Sequence, residues 1–431
     1  MKIAIMLITI VSLVGVAWWH YKKQVDSIRS FYWPALFLKI FSGIAVGLLY
    51  FNYYGAGDTI SYWQDGKVVG QAILSDPSMG ISFLWDETSV TINGLINDKP
   101  RSLFFVKISA ILSIMSGNNY WLMATLISFV SFFGAWFIFK TTIAIFPESR
   151  PASAISFLFF PSVVFWSSGL IKESIGLASI FFLSGIFLLS IMNKKISWWQ
   201  WILGLLSLWV GWTLKYYWIA VFLPVVITTL VVAFIEKGFS IVKRLEIVIW
   251  LCLFTIILFI GTSIHPNFYP SRFLDVIVQN NETFNSLSKP ESAIHYNNLT
   301  PTITSLLINT PQALVGGFFR PFIWEQHNLF SLLAGIENLI LLLLVASALP
   351  SIVRLFTSPN RLIGIAAITY CVILAVFLAL STPNFGTLSR YKIGFLPFLV
   401  FLLVYQNRFL LKCMNRNRFP GSTNQRINLP L

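Results

Sequence analysis

The chain consists of long, uninterrupted apolar runs separated by short polar segments. Most runs approach the roughly 20 residues that an α-helix needs to span a hydrocarbon core. Their apolar residues are continuous and do not alternate with polar ones, so the pattern predicts helices and not the strands of a membrane barrel. We predict eleven spans, near residues 3–19, 31–51, 121–139, 152–168, 174–192, 196–213, 218–235, 247–264, 330–349, 362–380 and 393–405. The predicted fold class is therefore all-α, a polytopic transmembrane helical bundle formed by residues 1–411.

Two connecting segments, residues 52–120 and 265–329, are too long to be simple connections. Long connections of this kind usually carry function. Within the first, Phe104 and Ile108 fall on one face of the stretch 102–116, while serines gather on the opposite face. This pattern predicts an interfacial helix on the membrane surface. We expect both segments to be long external loops that carry interfacial helices.

Composition and charge agree with a membrane class. Of the 431 residues, 56% are hydrophobic and only 11% are charged, so a water-facing surface of ordinary polarity cannot be built. The net charge of +14 comes mainly from basic segments between spans and from a basic tail at residues 412–431. By the positive-inside rule these segments are cytoplasmic, which places the N-terminus outside and the C-terminus inside. The charge therefore reflects topology and does not indicate nucleic-acid binding.

Metal and nucleotide motifs are absent from the sequence. The four histidines follow no metal-binding spacing, and neither type of glycine-rich phosphate loop occurs. The three cysteines, Cys252, Cys371 and Cys413, predict no disulfide. We therefore predict no certain cofactor, while a divalent metal held by carboxylates stays open.

Several ionisable side chains lie at the ends of predicted spans, where burying a charge is costly. Such residues indicate a functional site unless their charged ends simply reach into water. On or near the predicted external side are Asp58, Lys172, Glu173, Lys215, Arg320, Glu325, Glu337, Arg390 and Lys392. We expect a polar site on that side of the membrane.

Asp58 directly follows the second predicted span. Gly55 and Gly57 permit a tight turn that leaves the Asp58 carboxylate at the mouth of the bundle. A carboxylate there can act as a general base or bind a metal. Alternatively, Asp58 only caps the helix that follows it. Tyr62, in the same segment, is a further site candidate.

Lys172 and Glu173 lie in a tight external hairpin that follows a predicted kink at Pro161. The hairpin directs both charges toward the same face as Asp58. This placement favours a functional role, and an interfacial salt bridge is the alternative.

Arg320 and Arg390 also lie at the external side, and guanidinium groups suit phosphate oxygens because they stay charged and bind bidentately. Glu325 and Lys392 lie beside them as further candidates. Aromatic anchoring at the interface is the alternative for the segment around Trp324. Together these residues predict an external cavity with a phosphate clamp and an acid or base.

The order of these features resembles the integral membrane glycosyltransferases of the C-type fold. The shared features are an acidic residue after an early span, a long external loop with an interfacial helix, the sequence GNNYW at 117–121, and an acidic residue in the hairpin after a proline-bearing span. The closing segment 384–391 is similar to that of envelope-polysaccharide polymerases. The resemblance covers residues 31–240 best. The chain departs from the family in its single acidic residue at position 58, an extra preceding span and the lack of a large soluble C-terminal domain.

The resemblance implies that Asp58 and Glu173 are catalytic, and we expect Lys172, Arg320 and Arg390 to bind the phosphate of the donor. It also implies transfer of a sugar from a polyprenyl-phosphate-linked donor to a glycan or lipid acceptor, in cell-envelope polysaccharide or glycan assembly. The expected location is the extracytoplasmic face of a bacterial inner membrane. Two alternatives stay open: a polymerase acting on polyprenyl-pyrophosphate-linked repeat units, and a lipid or solute transporter.

Overall fold

The computed structural model describes residues 2–85, 92–239, 244–264, 269–325, 328–405, 407 and 409–410. Within these ranges the chain is helical, and the one extended pairing is an isolated bridge between Ala293 and Asn384. The predicted all-α class is therefore confirmed for the described part of the chain. The predicted basic tail, residues 412–431, and Cys413 within it lie outside the described residues.

The described helices form a bundle, and several of them are long and apolar enough to span a membrane. In chain order they are α1 (Lys2–Lys22), α2 (Asp26–Leu49), α3 (Asp58–Ser75), α4 (Pro77–Trp85), α5 (Pro100–Met115), α6 (Tyr120–Ile145), α7 (Arg150–Ser153), α8 (Pro161–Trp166), α9 (Lys172–Ile191), α10 (Trp198–Glu236), α11 (Glu246–Ile264), α12 (Pro270–Leu287), α13 (Ile303–Phe319), α14 (Leu329–Leu355), α15 (Arg361–Ser381), α16 (Phe385–Tyr391) and α17 (Leu396–Val404). Eight described helices are long and apolar enough to cross a membrane: α1, α2, α6, α9, α10, α11, α14 and α15. The count is nine if Phe385–Gly394 and Leu396–Val404, which meet at 66°, form one bent span.

Helix α10 folds back on itself at Lys215. A straight helix of its 39 residues would be about 58 Å long. Nevertheless, Lys237 at one end donates a hydrogen bond of 2.7 Å to Asn193, which lies just before the other end. Lys215 has non-helical backbone angles (φ −139°, ψ 57°) and forms the apex of the resulting hairpin. The two arms of the hairpin correspond to the spans predicted at 196–213 and 218–235.

The contacts between helix ends divide the bundle into two ends. The site end is where α3, α5 and α9 begin, and the start of α1 lies near it, since the Lys2 carbonyl is close to Gly117. At the opposite end, Arg361 pairs with Glu246 and Lys237 lies beside Asn193. Lys237 and Arg361 therefore lie at the end opposite the predicted polar residues.

The span predicted at 152–168 is not one continuous helix. It consists of α7, a π-helical stretch (Ala154–Phe159) and α8, because Phe160 is extended and Pro161 starts a new helix. The chain then runs through residues 167–171 without regular structure before α9 begins.

Side chains from neighbouring helices form hydrogen bonds with the irregular segment 167–171. Ser131 donates to the Ser167 carbonyl at 2.7 Å, and the Gly169 amide donates to the Ser128 hydroxyl at 2.9 Å. Lys39 donates to the Ser167 hydroxyl. Irregular backbone at membrane depth is tolerated only when protein groups take up its hydrogen bonds. This packing fixes where α9 starts, and therefore where Lys172 and Glu173 lie.

The first long loop folds into α3, α4 and α5. The predicted interfacial helix, α5, packs closely along α3, because Gly66 lies directly against Ser109 and has no side chain to separate the two helices. The buried Asp65 carboxylate accepts hydrogen bonds of 2.9 Å from the amides of Ile96 and Asn97, which holds the end of the loop onto α3.

The second long loop contains α12 and α13, and α12 docks on α15. Asn281 donates 2.6 Å to the carbonyl of Leu380 at the end of α15. The Ile294 amide donates 3.0 Å to the carbonyl of Pro383, and Asn384 donates 2.8 Å to Ser288. The loop therefore fixes the segment that leads into α16.

Candidate functional site

Four charged side chains from distant parts of the sequence meet at the site end. Asp58 begins α3, Glu173 lies in the first turn of α9, Lys215 forms the apex of α10 and Arg390 lies near the end of α16. We call these four residues the polar cluster. Their convergence brings together three of the residues predicted from the sequence, Asp58, Glu173 and Arg390, with Lys215, which was only one of several ionisable residues noted at span ends.

Arg390 is the centre of the polar cluster. Its Nη2 donates to Oδ2 of Asp58 at 2.8 Å and to Oε2 of Glu173 at 2.7 Å, and its Nη1 donates to the Tyr50 hydroxyl at 3.1 Å. The buried Nε atom has no hydrogen-bond partner among the described residues. Arg390 thus links the two carboxylates and the Tyr50 hydroxyl, and its predicted binding of phosphate stays a prediction.

Glu173 is fully buried, and both of its oxygens are bound. Oε2 accepts from Arg390, and Oε1 accepts from Lys215 Nζ at 2.5 Å. The Lys215 ammonium also lies 3.9 Å from the centre of the Tyr391 ring. Both oxygens of Glu173 are therefore occupied by cationic side chains, and its catalytic role stays a prediction.

Asp58 is the accessible carboxylate of the polar cluster. Its side chain is 46% exposed, whereas that of Glu173 is 0% exposed. One oxygen is fixed by Arg390, and Oδ1 accepts no hydrogen bond from the described residues. Gly55 (φ 71°) and Gly57 (φ 135°) form the turn that places Asp58 at the start of α3. Asp58 therefore has a carboxylate oxygen that the described protein groups leave free to accept a proton or a hydrogen bond.

Lys172 and Tyr62 lie beside the polar cluster and meet at Ser102 in the first turn of α5. Lys172 Nζ donates to the Ser102 hydroxyl at 3.3 Å, and the Tyr62 hydroxyl donates to the same oxygen at 3.5 Å. Burial raises the pKa of the Tyr62 phenol, so it stays protonated and able to donate. Among the described residues Lys172 forms no ion pair with a carboxylate.

Arg320, Glu325 and Lys392 are placed differently. Arg320 forms an ion pair with Glu325, whose other oxygen accepts from the Phe322 amide at 2.8 Å. Lys392 is buried and donates to Asn338 at 2.7 Å and to the Phe318 carbonyl at 3.0 Å. Within the described chain, none of these three side chains forms a hydrogen bond or an ion pair with the polar cluster.

The polar cluster supplies few ligands for a metal. Among the described residues no group of three or more His, Cys, Asp or Glu side chains converges, and each carboxylate of the cluster already binds a cationic side chain. A divalent ion bound at Asp58 would need to take most of its ligands from substrate or water.

No family model, no curated protein and no solved structure matches this chain. The resemblance to C-type glycosyltransferases therefore stays a prediction from the sequence features described above.

Proposed function

We propose that this protein is a membrane glycosyltransferase that moves a sugar from a polyprenyl-phosphate-linked donor to a glycan or lipid acceptor. Its place would be the extracytoplasmic face of a bacterial inner membrane, in the assembly of cell-envelope polysaccharide or glycan. One observation carries the proposal: an accessible carboxylate, Asp58, is held by a buried network of Arg390, Glu173 and Lys215 at one end of a membrane bundle.

In the proposed reaction, Asp58 accepts the proton of an acceptor hydroxyl as its oxygen attacks the anomeric carbon of the donor sugar. The bond from that carbon to the phosphate oxygen breaks, and the lipid phosphate leaves with the bonding electrons. Three cations, Lys172, Lys215 and Arg390, face the two carboxylates Asp58 and Glu173, which leaves the site with one excess positive charge. That excess favours the charge developing on the leaving phosphate, and Lys172 is the cation placed to contact it.

The proposed topology has eleven crossings. The two arms of α10 count as two spans, and the broken segment 150–166 and the bent pair at 385–404 count as one each. Lys237 and Arg361, which belong to the basic connections, lie at the end opposite the polar cluster, and the positive-inside rule assigns that end to the cytoplasm. Asp58 then faces the outside, with the N-terminus outside and the C-terminus inside.

The test is the pool of lipid-linked saccharides in a strain that lacks the protein. We expect a lipid-linked saccharide to accumulate in the deletion strain, and a wild-type copy to clear it. Asp58→Asn should not clear it, while the matched control Asp76→Asn, at the exposed junction of α3 and α4, should do so. Clearance by an equally abundant Asp58→Asn protein would remove Asp58 from the mechanism.

Arg390 keeps the repeat-unit polymerase as a second candidate, because it is the residue on which the polar cluster is centred. In a polymerase without an essential aspartate, Asp58→Asn would still make polymer while Arg390→Gln would not. In the proposed transferase both variants lose activity. Polymer length on a polysaccharide gel separates the two.

A further inference from the structure

A concave site lies beside the polar cluster, between the segment that follows α2 and the start of α6. It is lined by four aromatic residues and two asparagines: Phe51, Trp63, Asn118, Asn119, Tyr120 and Trp121. We call it the aromatic–amide pocket. None of its residues has a task in the reaction described above.

The rings of the pocket hold one another in place. Tyr120 makes edge-to-face contacts with Phe51 at 4.8 Å, Trp121 at 5.1 Å and Trp63 at 5.9 Å between ring centres. Edge-to-face pairs stabilise one another beyond the burial of their surface. Trp121 is nevertheless 39% exposed, so part of its indole is open to a ligand. The pocket is therefore preformed and presents aromatic surface outward.

The two asparagines are oriented by their oxygens. Asn118, in a left-handed conformation (φ 71°), accepts 2.6 Å from Ser113 through Oδ1, and its backbone carbonyl accepts 3.1 Å from the Trp63 indole. Asn119 caps α6 by accepting 3.1 Å from the Leu122 amide. Neither Nδ2 group donates to another described residue. Two amide donors are thus fixed and available at the pocket.

We propose that the aromatic–amide pocket binds a pyranose ring. A pyranose has apolar C–H faces that pack against aromatic rings and hydroxyl oxygens that accept from amide groups, which is the combination this pocket presents. A phosphate would need cations, and the lining contains no charged residue. A lipid chain would leave both amide donors unpaired, at a cost.

The pocket is connected to the polar cluster through Thr59, the residue after Asp58. The buried Thr59 hydroxyl lies 2.7 Å from the Tyr120 hydroxyl at the back of the pocket. Trp63 follows Asp58 by five residues on α3, a rise of about 8 Å along the helix. A single glycan could therefore place one sugar ring in the pocket and its terminal hydroxyl at Asp58. Its role as an acceptor subsite rests on the proposed function, but its binding of a sugar does not.

The test is saturation-transfer-difference NMR on the full chain in lipid nanodiscs. The probes are the methyl β-glycosides of glucose, galactose and N-acetylglucosamine at millimolar concentration. We expect saturation of at least one probe, reduced about fivefold or more by Trp121→Ala, since the loss of ring contact weakens binding on that scale. Asn118→Gly, which keeps the left-handed backbone and removes the amide, should reduce it as well. Trp85→Ala, at a tryptophan that is 92% exposed on α4, is the matched control and should leave it unchanged.

Two results would overturn the proposal. One is that no probe receives more saturation from the wild-type protein than from Trp121→Ala. The other is that the wild type and both pocket variants give equal saturation. The aromatic residues would then be anchors at the membrane interface. Asp58→Asn separates this proposal from the proposed function, because it should keep sugar binding while losing transfer. If Asp58→Asn keeps both sugar binding and transfer, the proposed mechanism is rejected, while the proposal that the pocket binds a sugar still stands.

Discussion

Asp58 and Glu173 contact the same guanidinium nitrogen, yet their surroundings differ. Glu173 is completely enclosed and bound through both oxygens, so its charge is balanced inside the protein. Asp58 has one bound oxygen and is nearly half exposed. Two acidic residues that the sequence presents as equivalent candidates therefore differ in exposure and in the number of oxygens that the protein binds.

Lys215 should contribute strongly to stability. Lys215→Met leaves the buried Glu173 with one fewer partner, and breaking a buried ion pair costs about 3–5 kcal/mol. We expect a markedly lower thermal unfolding temperature in detergent, measured by tryptophan fluorescence. Lys215→Met combined with Glu173→Gln should recover part of the loss, because no uncompensated charge is left. Equal stability of wild type and Lys215→Met would show that the pair does not hold the site.

Tyr62 should act as a neutral donor. Burial raises the pKa of its phenol, and the proton then stays bound above the pH at which an exposed tyrosine loses it. Tyr62→Phe removes one hydrogen bond worth about 1 kcal/mol, so transfer should fall about fivefold. The pH–rate profile between about pH 6 and 9 should keep its shape. If the wild-type rate falls at high pH and this fall is absent in Tyr62→Phe, the phenol titrates during turnover.

At the scale of elements, the site depends on where helices start and break. The glycine turn at 55–57 ends the second span and begins α3, the irregular segment 167–171 begins α9, and the break at Lys215 forms the α10 hairpin. Each discontinuity brings a charged side chain to the site end. A continuous span would instead bury that charge in lipid.

Gly55 and Gly57 provide a matched pair that tests the turn before α3. A Cβ atom at Gly57 would lie 2.6 Å from the Tyr50 ring, whereas one at Gly55 would meet nothing within 4 Å. Both have positive φ, so Gly55→Ala should cost about 1 kcal/mol from backbone strain alone. Gly57→Ala should cost more and should also reduce transfer, because the Tyr50 hydroxyl that it would displace accepts a hydrogen bond from Arg390. Thermal unfolding and transfer rates of the two variants check this order, and the reverse order would contradict it.

At the scale of the molecule, the orientation of the bundle is open to a direct test. The test uses a chain whose three cysteines are replaced by alanine. In it, Asp76→Cys lies within the first long loop, and Lys194→Cys lies at the end of the bundle opposite the polar cluster. A membrane-impermeant maleimide added to intact spheroplasts should label position 76 and leave position 194 unlabelled until the membrane is permeabilised. Labelling with the opposite preference would invert the topology and move Asp58 to the cytoplasm.

Much of the helical organisation is predictable from the sequence, because apolar runs of spanning length are local features. The predicted split at 213–218 corresponds to the hairpin at Lys215. The broken helix at 150–166 could not be distinguished from a simple span, since its π-helical stretch and its buried loop depend on partners such as Ser128 and Ser131.

The candidate site was harder to predict than the fold. Arg320 and Arg390 look alike in the sequence, each beside aromatic residues at a span end, but only Arg390 meets Asp58 and Glu173. That meeting joins positions more than two hundred residues apart in the chain, and no local pattern encodes it. The cost of burying Lys215 without a partner was the one signal that could have linked it to Glu173.

The most direct test of the central claim uses the lipid-linked saccharide that accumulates in the deletion strain, added to purified protein in vesicles with the strain's acceptor glycan. Release of free polyprenyl phosphate is followed by mass spectrometry. We expect release with the wild-type protein and with Asp76→Asn, and none with Asp58→Asn at equal protein concentration. Release at the wild-type rate from Asp58→Asn, or no release from the wild type, would contradict it.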